Sequence, residues 1–249
     1  MDKRADSPAK GERIAKVLAR AGLCSRREAE RWITAGRVAV DGRKLISPAV
    51  NVTAAARVTV DGKPVAAAGP ARLWRYHKPA GLVTSHRDPQ GRPTVFDRLP
   101  DKLPRVISVG RLDLTSEGLL LLTNAGDLAR RLERPENGWT RRYRVRVFGA
   151  VDEAALARLA DGLSVDGLDY GPLDARLDSR RGRNAWLTVS LKEGRNREVR
   201  RVMEHLGLTV NRLIRIAFGP FQLGRLKRGA VGEVRGKVLR EQLGADKPS

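Results

Sequence analysis

The alternation of apolar and polar positions changes character twice along the chain. In ERIAKVLARAG, Ile14, Val17, Leu18 and Ala21 fall at i, i+3, i+4 and i+7, the spacing of one helix face. Gly22 closes that helix. Ser25, with Glu28 three residues on, has the spacing of a capping box and opens a second helix over about Arg26–Ala35, closed by Gly36. The sequence then alternates strictly. RVAVDG (Arg37–Gly42) reads as a strand entering an Asp-Gly turn, and a near-copy, RVTVDG (Arg57–Gly62), follows about twenty residues later. Residues 12–65 therefore make a compact module of two helices and small strands, with Ala66–Ala71 (AAAGPA) as a linker.

Beyond the linker, short strands separated by Gly/Pro turns dominate. The pattern predicts strands at Leu73–His77, Val106–Val109, Leu119–Thr123, Arg142–Val147, Trp186–Leu191 and Leu213–Phe218. Helices are predicted at Gly126–Glu133, Glu153–Asp161 and Glu198–Leu206. Mixed elements without βαβ alternation imply an α+β fold with a mixed, mainly antiparallel sheet flanked by helices, over residues 72–244. Residues 1–10 and Ala245–Ser249 are polar and are expected to be disordered.

Charge narrows the function. The 249 residues carry 49 Lys+Arg against 28 Asp+Glu, and 49 − 28 gives +21. Such an excess calls for a polyanionic partner, and nucleic acid is the usual one. In the first module Arg13, Lys16, Arg20, Ser25, Arg26, Arg27 and Arg37 crowd the helices and the strand after them, with few opposing acids, and read as a nucleic-acid-binding face. One cysteine, Cys24, excludes an internal disulfide and fits a reducing compartment. The N-terminus has no apolar segment of a secretory signal, and no stretch approaches the roughly 18 apolar residues of a spanning helix. The chain reads as a soluble cytoplasmic protein. Three scattered histidines leave little for a metal, and the nucleotide-binding and hydrolase motifs are missing, so neither metal nor cofactor is expected.

Four segments could carry chemistry. In VGRLDLTSEGLLLLTNAGD, Arg111 and Asp113 occupy a loop between apolar strands, where Asp113 is either a reactive carboxylate against apolar surface or an Asp-turn residue. Glu117, in Ser-Glu-Gly, reads as an ordinary solvent position. In LKEGRNREVRRVMEHLG, Arg197, Arg200 and Arg201 would share one face of a helix starting near Asn196. Cations at a helix N-terminus are unfavourable unless an anion, such as a phosphate or Asp113, answers them. In RRYRVRV, Tyr143 alternates with a line of guanidinium groups and is either a core residue or one that stacks on a base. HKPAGLVTSHRDPQGRPTVFD places Lys78 at the head of a Gly/Pro-rich loop.

These residues carry a family resemblance. ERIAKVLARAGLCSRREAERWI with GRVAVDG resembles the S4 RNA-binding domain over about residues 12–60. Together with YHKPAGLVTS, VGRLDLTSEGLLLLTN, TRRYRVRV, EGRNREVRRVMEHLG and VNRLIRIAFGPFQLGRLKRGAVGEV, it makes the chain resemble the RsuA/RluB-type ribosomal pseudouridine synthases from about Glu12 to Leu243. Ala125 and Arg141-Arg142 depart from that pattern. The resemblance implies isomerisation of one uridine in ribosomal RNA, the large-subunit RNA somewhat favoured, without a cofactor. It implies Asp113, Tyr143 and Arg200 as catalytic residues, with Arg200 paired to Asp113 and Tyr143 stacked on the base. It further implies that Arg111, Asn196, Arg197, Arg201 and Lys78 hold the substrate. A monomer acting on naked RNA, an assembly intermediate or a subunit is the expected form, and a non-catalytic RNA-binding assembly factor on the same fold is the alternative.

Overall fold

The repeated hexapeptides pair with each other. In the structure, a computed structural model that describes residues 11–243, β2 (Val38–Val40) runs antiparallel to β5 (Val58–Val60), with Val38 opposite Val60. Each strand turns back through Asp-Gly onto a two-residue partner, β3 (Arg43–Lys44) or β6 (Lys63–Pro64). Asp41 and Asp61 adopt φ of 49° and 51°, each followed by a positive-φ glycine, the backbone a tight hairpin requires. Helix α1 (Ile14–Arg20) begins at Ile14, the first of the spaced apolar positions. Glu12–Arg13 ahead of it is extended, as β1, against β4 (Asn51–Val52). Helix α2 (Arg26–Thr34) starts as predicted, the Ser25 hydroxyl accepting from the Glu28 N–H at 3.1 Å. Ile14, Leu18, Ala29, Ile33 and Val38 form the core of this unit, with Cys24 buried among them.

The chain divides into two compact units: the residues through Ala71 with Pro104–Val106, and the remainder from Arg72. The second is built on a sheet ordered β13-β14-β10-β15-β9-β7-β17. These strands are β7 (Leu73–Lys78), β9 (Ser116–Thr123), β10 (Arg141–Phe148), β13 (Leu173–Arg181), β14 (Asn184–Leu191), β15 (Thr209–Phe218) and β17 (Val231–Val234). Two strands pair off that path, β8 (Ile107–Val109) with β9 and β16 (Phe221–Gln222) with β15, while β11 (Leu163–Val165) and β12 (Leu168–Tyr170) form a separate hairpin. All pairings are antiparallel except β9 with β15. The α+β architecture and the mixed, mainly antiparallel sheet are as expected. The helices are α3 (Gly126–Glu133), α4 (Glu153–Arg158), α5 (Glu198–His205) and α6 (Gly236–Leu243). The readings at residues 1–10, 244 and Ala245–Ser249 lie outside the described residues.

Strand β9 is the spine of the unit. It lies between β7 and β15, and all eight of its residues are buried, including Leu119, Leu120, Leu121 and Leu122. Burying one such leucine contributes about 1.5–3 kcal/mol, so this strand is a rigid support for the loop that precedes it. Ser116-Glu117-Gly118 belongs to it, which corrects the reading of Glu117 as a solvent position: the residue is 5% exposed. Its carboxylate accepts from Arg212 Nε at 2.8 Å and from Arg228 Nη2 at 2.6 Å. Burial works to raise its pKa, but these arginines outweigh that and hold it below the usual glutamate value. No described helix is long and apolar enough to cross a membrane.

Candidate active site

A cleft of about 550 Å³ opens where the loop between β8 and β9 faces β10 and the start of α5. Arg111, Leu112, Asp113 and Ser116 line one wall, Tyr143 and Leu213 the floor, and Gly194 through Val199 the other wall. Asp113, Tyr143, Arg111, Asn196 and Arg197 therefore come together from segments up to 86 positions apart in sequence, as 197 − 111 shows. Asp113 is half-buried, and its carboxylate makes no hydrogen bond or ion pair among the described residues. It is not used to close an Asp-turn. A half-buried carboxylate with no protein partner, in a cleft it shares with Leu112 and Tyr143, is available to a ligand.

The backbone of this loop is tied down from beneath. Lys78, at the end of β7, is fully buried, and its ammonium donates to the carbonyls of Asp113 (3.1 Å), Ser116 (2.8 Å) and Pro79 (3.1 Å). Burial lowers its pKa from 10.5 to about 8, against the opposing pull of the Asp113 and Glu117 charges. This corrects its assignment as a substrate-binding residue: all three donors of the ammonium are taken by backbone, and the side chain does not reach the cleft. Thr84 adds a second tie. Its Oγ1 donates to the Leu112 carbonyl at 2.8 Å and accepts from the Leu112 N–H at 3.3 Å. Glu133 adds a third, accepting from the Gly110 N–H at 2.6 Å.

The arginine cluster is split rather than shared on one helix face. Arg197 precedes α5 with a left-handed backbone, φ 54°, and lines the cleft with Asn196. Such a conformation in a non-glycine residue is strained by about 1–3 kcal/mol and is concentrated at functional sites. Arg200 is buried below the cleft wall and Arg201 is half-buried, and neither lines the cleft. Arg200 donates to the carbonyls of Val210 (3.1 Å) and Thr115 (3.2 Å), while its Nε is buried without a partner. Among the described residues it forms no ion pair with Asp113, although the Asp113 charge opposes the lowering of its pKa by burial and by Arg197. Its observed role is to fasten the Asp113 loop to α5 and β15 through backbone.

Two residues of the site escaped sequence reasoning. Arg215 stands directly across from Tyr143, between β10 and β15, and is buried. Its Nε donates to the Leu119 carbonyl at 2.8 Å, and the Tyr143 hydroxyl offsets part of the lowering of its pKa by burial. Tyr143 is thus a 9% exposed residue at the cleft floor whose oxygen faces a fixed cation. Glu198 is buried in the cleft wall, with Oε2 accepting from the Arg195 N–H at 2.9 Å and Oε1 unpartnered. Burial raises its pKa. The only available signals were a register that the sequence does not print and a helix-capping glutamate that looks ordinary. Among the described residues no group of three or more His, Cys, Asp or Glu side chains is placed to hold a metal.

A loop carboxylate in a phenol-floored cleft, beside an arginine-bearing wall, is the arrangement that known proteins explain. Residues 72–205 match the RNA pseudouridylate synthase family, and residues 12–56 match the S4 domain. A Rickettsia felis protein described as an uncharacterized RNA pseudouridine synthase is 49% identical over 228 residues, 92% of this chain and 99% of its own. The chain belongs to the RNA pseudouridylate synthase family. The ribosomal large subunit pseudouridine synthase B of Haemophilus influenzae is 44% identical over 246 residues, covering 95% of this chain and 69% of its own. A crystal structure of a pseudouridylate synthase matches with a TM-score of 0.64 and 25% identity, over 93% of this chain and 99% of that one. The synthase is therefore an isomerase of the RsuA/RluB type acting on RNA, with an S4 domain ahead of its catalytic domain.

In the S4 unit the basic residues fall into two groups. Lys16 and Arg20 both reach Glu12, at 2.9 and 2.8 Å, and Arg37 is bidentate on Asp61 while lying 4.8 Å from the Trp32 ring centroid. These three are more neutralised than a simple count of charges suggests. The Ser25 hydroxyl serves as a helix cap. Arg13, Arg26 and Arg27 are exposed and have no ion-pair partner among the described residues, so their charge is not neutralised within the unit.

Proposed function

We propose that the synthase converts one uridine of ribosomal RNA to pseudouridine, large-subunit RNA being favoured, with the Asp113 carboxylate as the reacting group. The observation that carries this reading is the unpartnered Asp113 carboxylate in a cleft whose loop backbone is fixed by Lys78, Thr84 and Arg200. Relatives named as large-subunit enzymes support the choice of RNA.

Isomerisation must break the N1–C1′ glycosidic bond, turn the uracil and join C5 to C1′. Asp113 can act in two ways that both balance. As a nucleophile, a carboxylate oxygen bonds to C1′ while the N1–C1′ electron pair leaves on uracil, and C5 of the turned base later displaces it. As a base, the carboxylate takes the 2′ proton as uracil departs, giving a glycal, and the proton returns when C5 adds. In either case the C5 proton is lost and N1 gains one, so nothing is consumed. The uracil never leaves the site, and a second acid–base pair of the glycosidase kind is unnecessary.

Tyr143 forms the surface on which the base turns, with Arg215 fixing its hydroxyl. Arg111, Asn196 and Arg197 stand at the mouth, where they would hold the phosphates of a nucleotide extruded from its stack. Arg200 acts here through the backbone of the Asp113 loop rather than by direct pairing. A monomer acting in the cytoplasm is part of the proposal. Small- and large-subunit ribosomal RNA incubated with the synthase, then mapped for pseudouridine by carbodiimide adducts and primer extension, tests the choice. One new stop in large-subunit RNA is expected. A stop only in small-subunit RNA, or none in either, contradicts it.

A further inference from the structure

The strand that delivers Tyr143 to the cleft presents a different chemistry on its other side. Along β10, Tyr143, Val145 and Val147 are buried, while Arg142, Arg144, Arg146 and Phe148 are exposed. The register continues this outward row onto the neighbouring strands. Arg144 stands opposite Thr188 and Arg146 opposite Trp186 on β14, and beyond them lie Arg176 and Ser179 on the edge strand β13. Two acids interrupt the row: Asp174, opposite Ser190, and Asp178, which accepts from the Thr188 hydroxyl at 2.8 Å and sits 3.9 Å from Arg144 and 3.8 Å from Arg176. Arg142 has no hydrogen-bond or ion-pair partner among the described residues.

This side also holds a concavity. Arg146, Arg180, Arg181, Ser179, Asn184 and Trp186 enclose about 560 Å³. Arg144, which does not line it, lies 4.7 Å from the centroid of Trp186 and steadies the ring, and Arg183 does the same for the exposed Phe148. Arg180 stands opposite Ala185, in the inward row, and its guanidinium donates to the Val151 carbonyl at 2.7 Å, whereas Arg146 of the outward row is 3.4 Å from the Asn184 oxygen. Two guanidinium groups, those of Arg146 and Arg181, with an amide and a half-buried indole around a cavity of nucleotide size form a stacking and phosphate-pairing site. A soluble sheet face with this much unneutralised positive charge also needs a polyanion to relieve its self-repulsion.

We infer that this face binds a second segment of the substrate RNA, one base stacking on Trp186 and its phosphates pairing with Arg146 and Arg181. The target uridine meanwhile occupies the cleft on the opposite face. The inference rests on the substrate being an RNA large enough to reach both faces of the sheet. It makes the site a determinant of which RNA is chosen rather than of the chemistry.

The test is photocrosslinking of the full chain to a large-subunit ribosomal RNA transcript carrying 4-thiouridine, with crosslinked peptides identified by mass spectrometry and pseudouridine measured in parallel. Nucleotide adducts on residues 181–186 are expected, besides those at the cleft. Crosslinks confined to the cleft and the S4 unit would overturn the site. Crosslinking needs no turnover, so absence of pseudouridine would count against the proposed function without touching this result. Steady-state kinetics provide the second arm. Arg146→Ala with Arg181→Ala, and separately Trp186→Leu, are expected to raise KM on the transcript about tenfold, the range of one lost stacked base. Neither should change kcat, and Trp186→Phe should restore KM. Equal effects on a short fragment retaining only the modified loop, or no effect on either RNA, would overturn the inference. So would displacement of RNA from this face by polyglutamate as readily as by unlabelled RNA, which would assign it to an acidic protein.

Discussion

The ammonium of Lys78 is committed to three carbonyls, one of them that of Asp113, and this makes the Asp113 loop sensitive to a single proton. Burial brings its pKa from 10.5 down to about 8. Above that pH the neutral amine has one donor fewer, and a loop tie is lost. The consequences for folding and activity have opposite signs. The unfolded chain still holds this proton between about pH 8 and 10.5, whereas the folded chain has released it, so the stability linked to Lys78 rises across that window. Activity is expected to fall through the same window. A kcat–pH profile of the wild type should show a basic limb near 8, and Lys78→Met should lower the plateau and remove that limb. An unmoved limb in the variant would assign the titration elsewhere. Glu198 gives the converse case. Its raised pKa means that its stabilising contribution is complete below the ordinary glutamate value and is lost as pH rises through the folded one. Glu198→Gln, which keeps an acceptor for the Arg195 N–H, should therefore be more stable than wild type at pH 7 and not at pH 4, read by denaturant unfolding at both.

At the scale of elements, the parallel pairing of β9 with β15 is what allows Asp113 and Tyr143 to meet, and Gly118 is its critical contact. Gly118 has φ +101°, and a Cβ there would lie 2.2 Å from the Arg215 carbonyl oxygen. Gly118→Ala combines a clash against backbone with a strained dihedral, which alone costs about 1–3 kcal/mol. A loss of at least about 3 kcal/mol is expected in equilibrium unfolding, with activity lost in proportion. A change under 1 kcal/mol, roughly within the range of neutral surface substitutions, would contradict the packing described. The sequence carried the elements whose periodicity is clean: α2, α3 with its bounds unchanged, and the alternating β10. It did not carry β13, because Leu173, Ala175 and Leu177 alternate with Asp174, Arg176 and Asp178 on an edge strand, where exposed charge masks the pattern. Nor could it separate Arg197, Arg200 and Arg201. That depended on α5 beginning at Glu198, after a left-handed residue that spacing does not foretell. The Asp113 loop was legible as a loop between apolar strands; what anchors it was not, since Lys78, Thr84 and Arg200 act through carbonyls and amides that no side-chain motif records.

For the whole molecule, the charge of +21 predicts binding that is dominated by phosphate contacts. The logarithm of the RNA dissociation constant should rise linearly with that of salt concentration. Arg26→Ala with Arg27→Ala should reduce the slope by about two, one for each phosphate contact removed. An unchanged slope would take those residues off the RNA. Binding, however, does not report on the chemistry at Asp113. The most direct test of that chemistry is tritium release from C5-tritiated uridine in ribosomal RNA, offered both naked and in subunits, to wild type and Asp113→Asn in parallel. The carboxamide keeps the shape of the loop and can neither attack C1′ nor accept a proton. Wild type should release tritium from at least one form of the RNA, and Asp113→Asn should bind that RNA with unchanged affinity and release none above background. Release by Asp113→Asn at a rate near that of wild type would contradict the account.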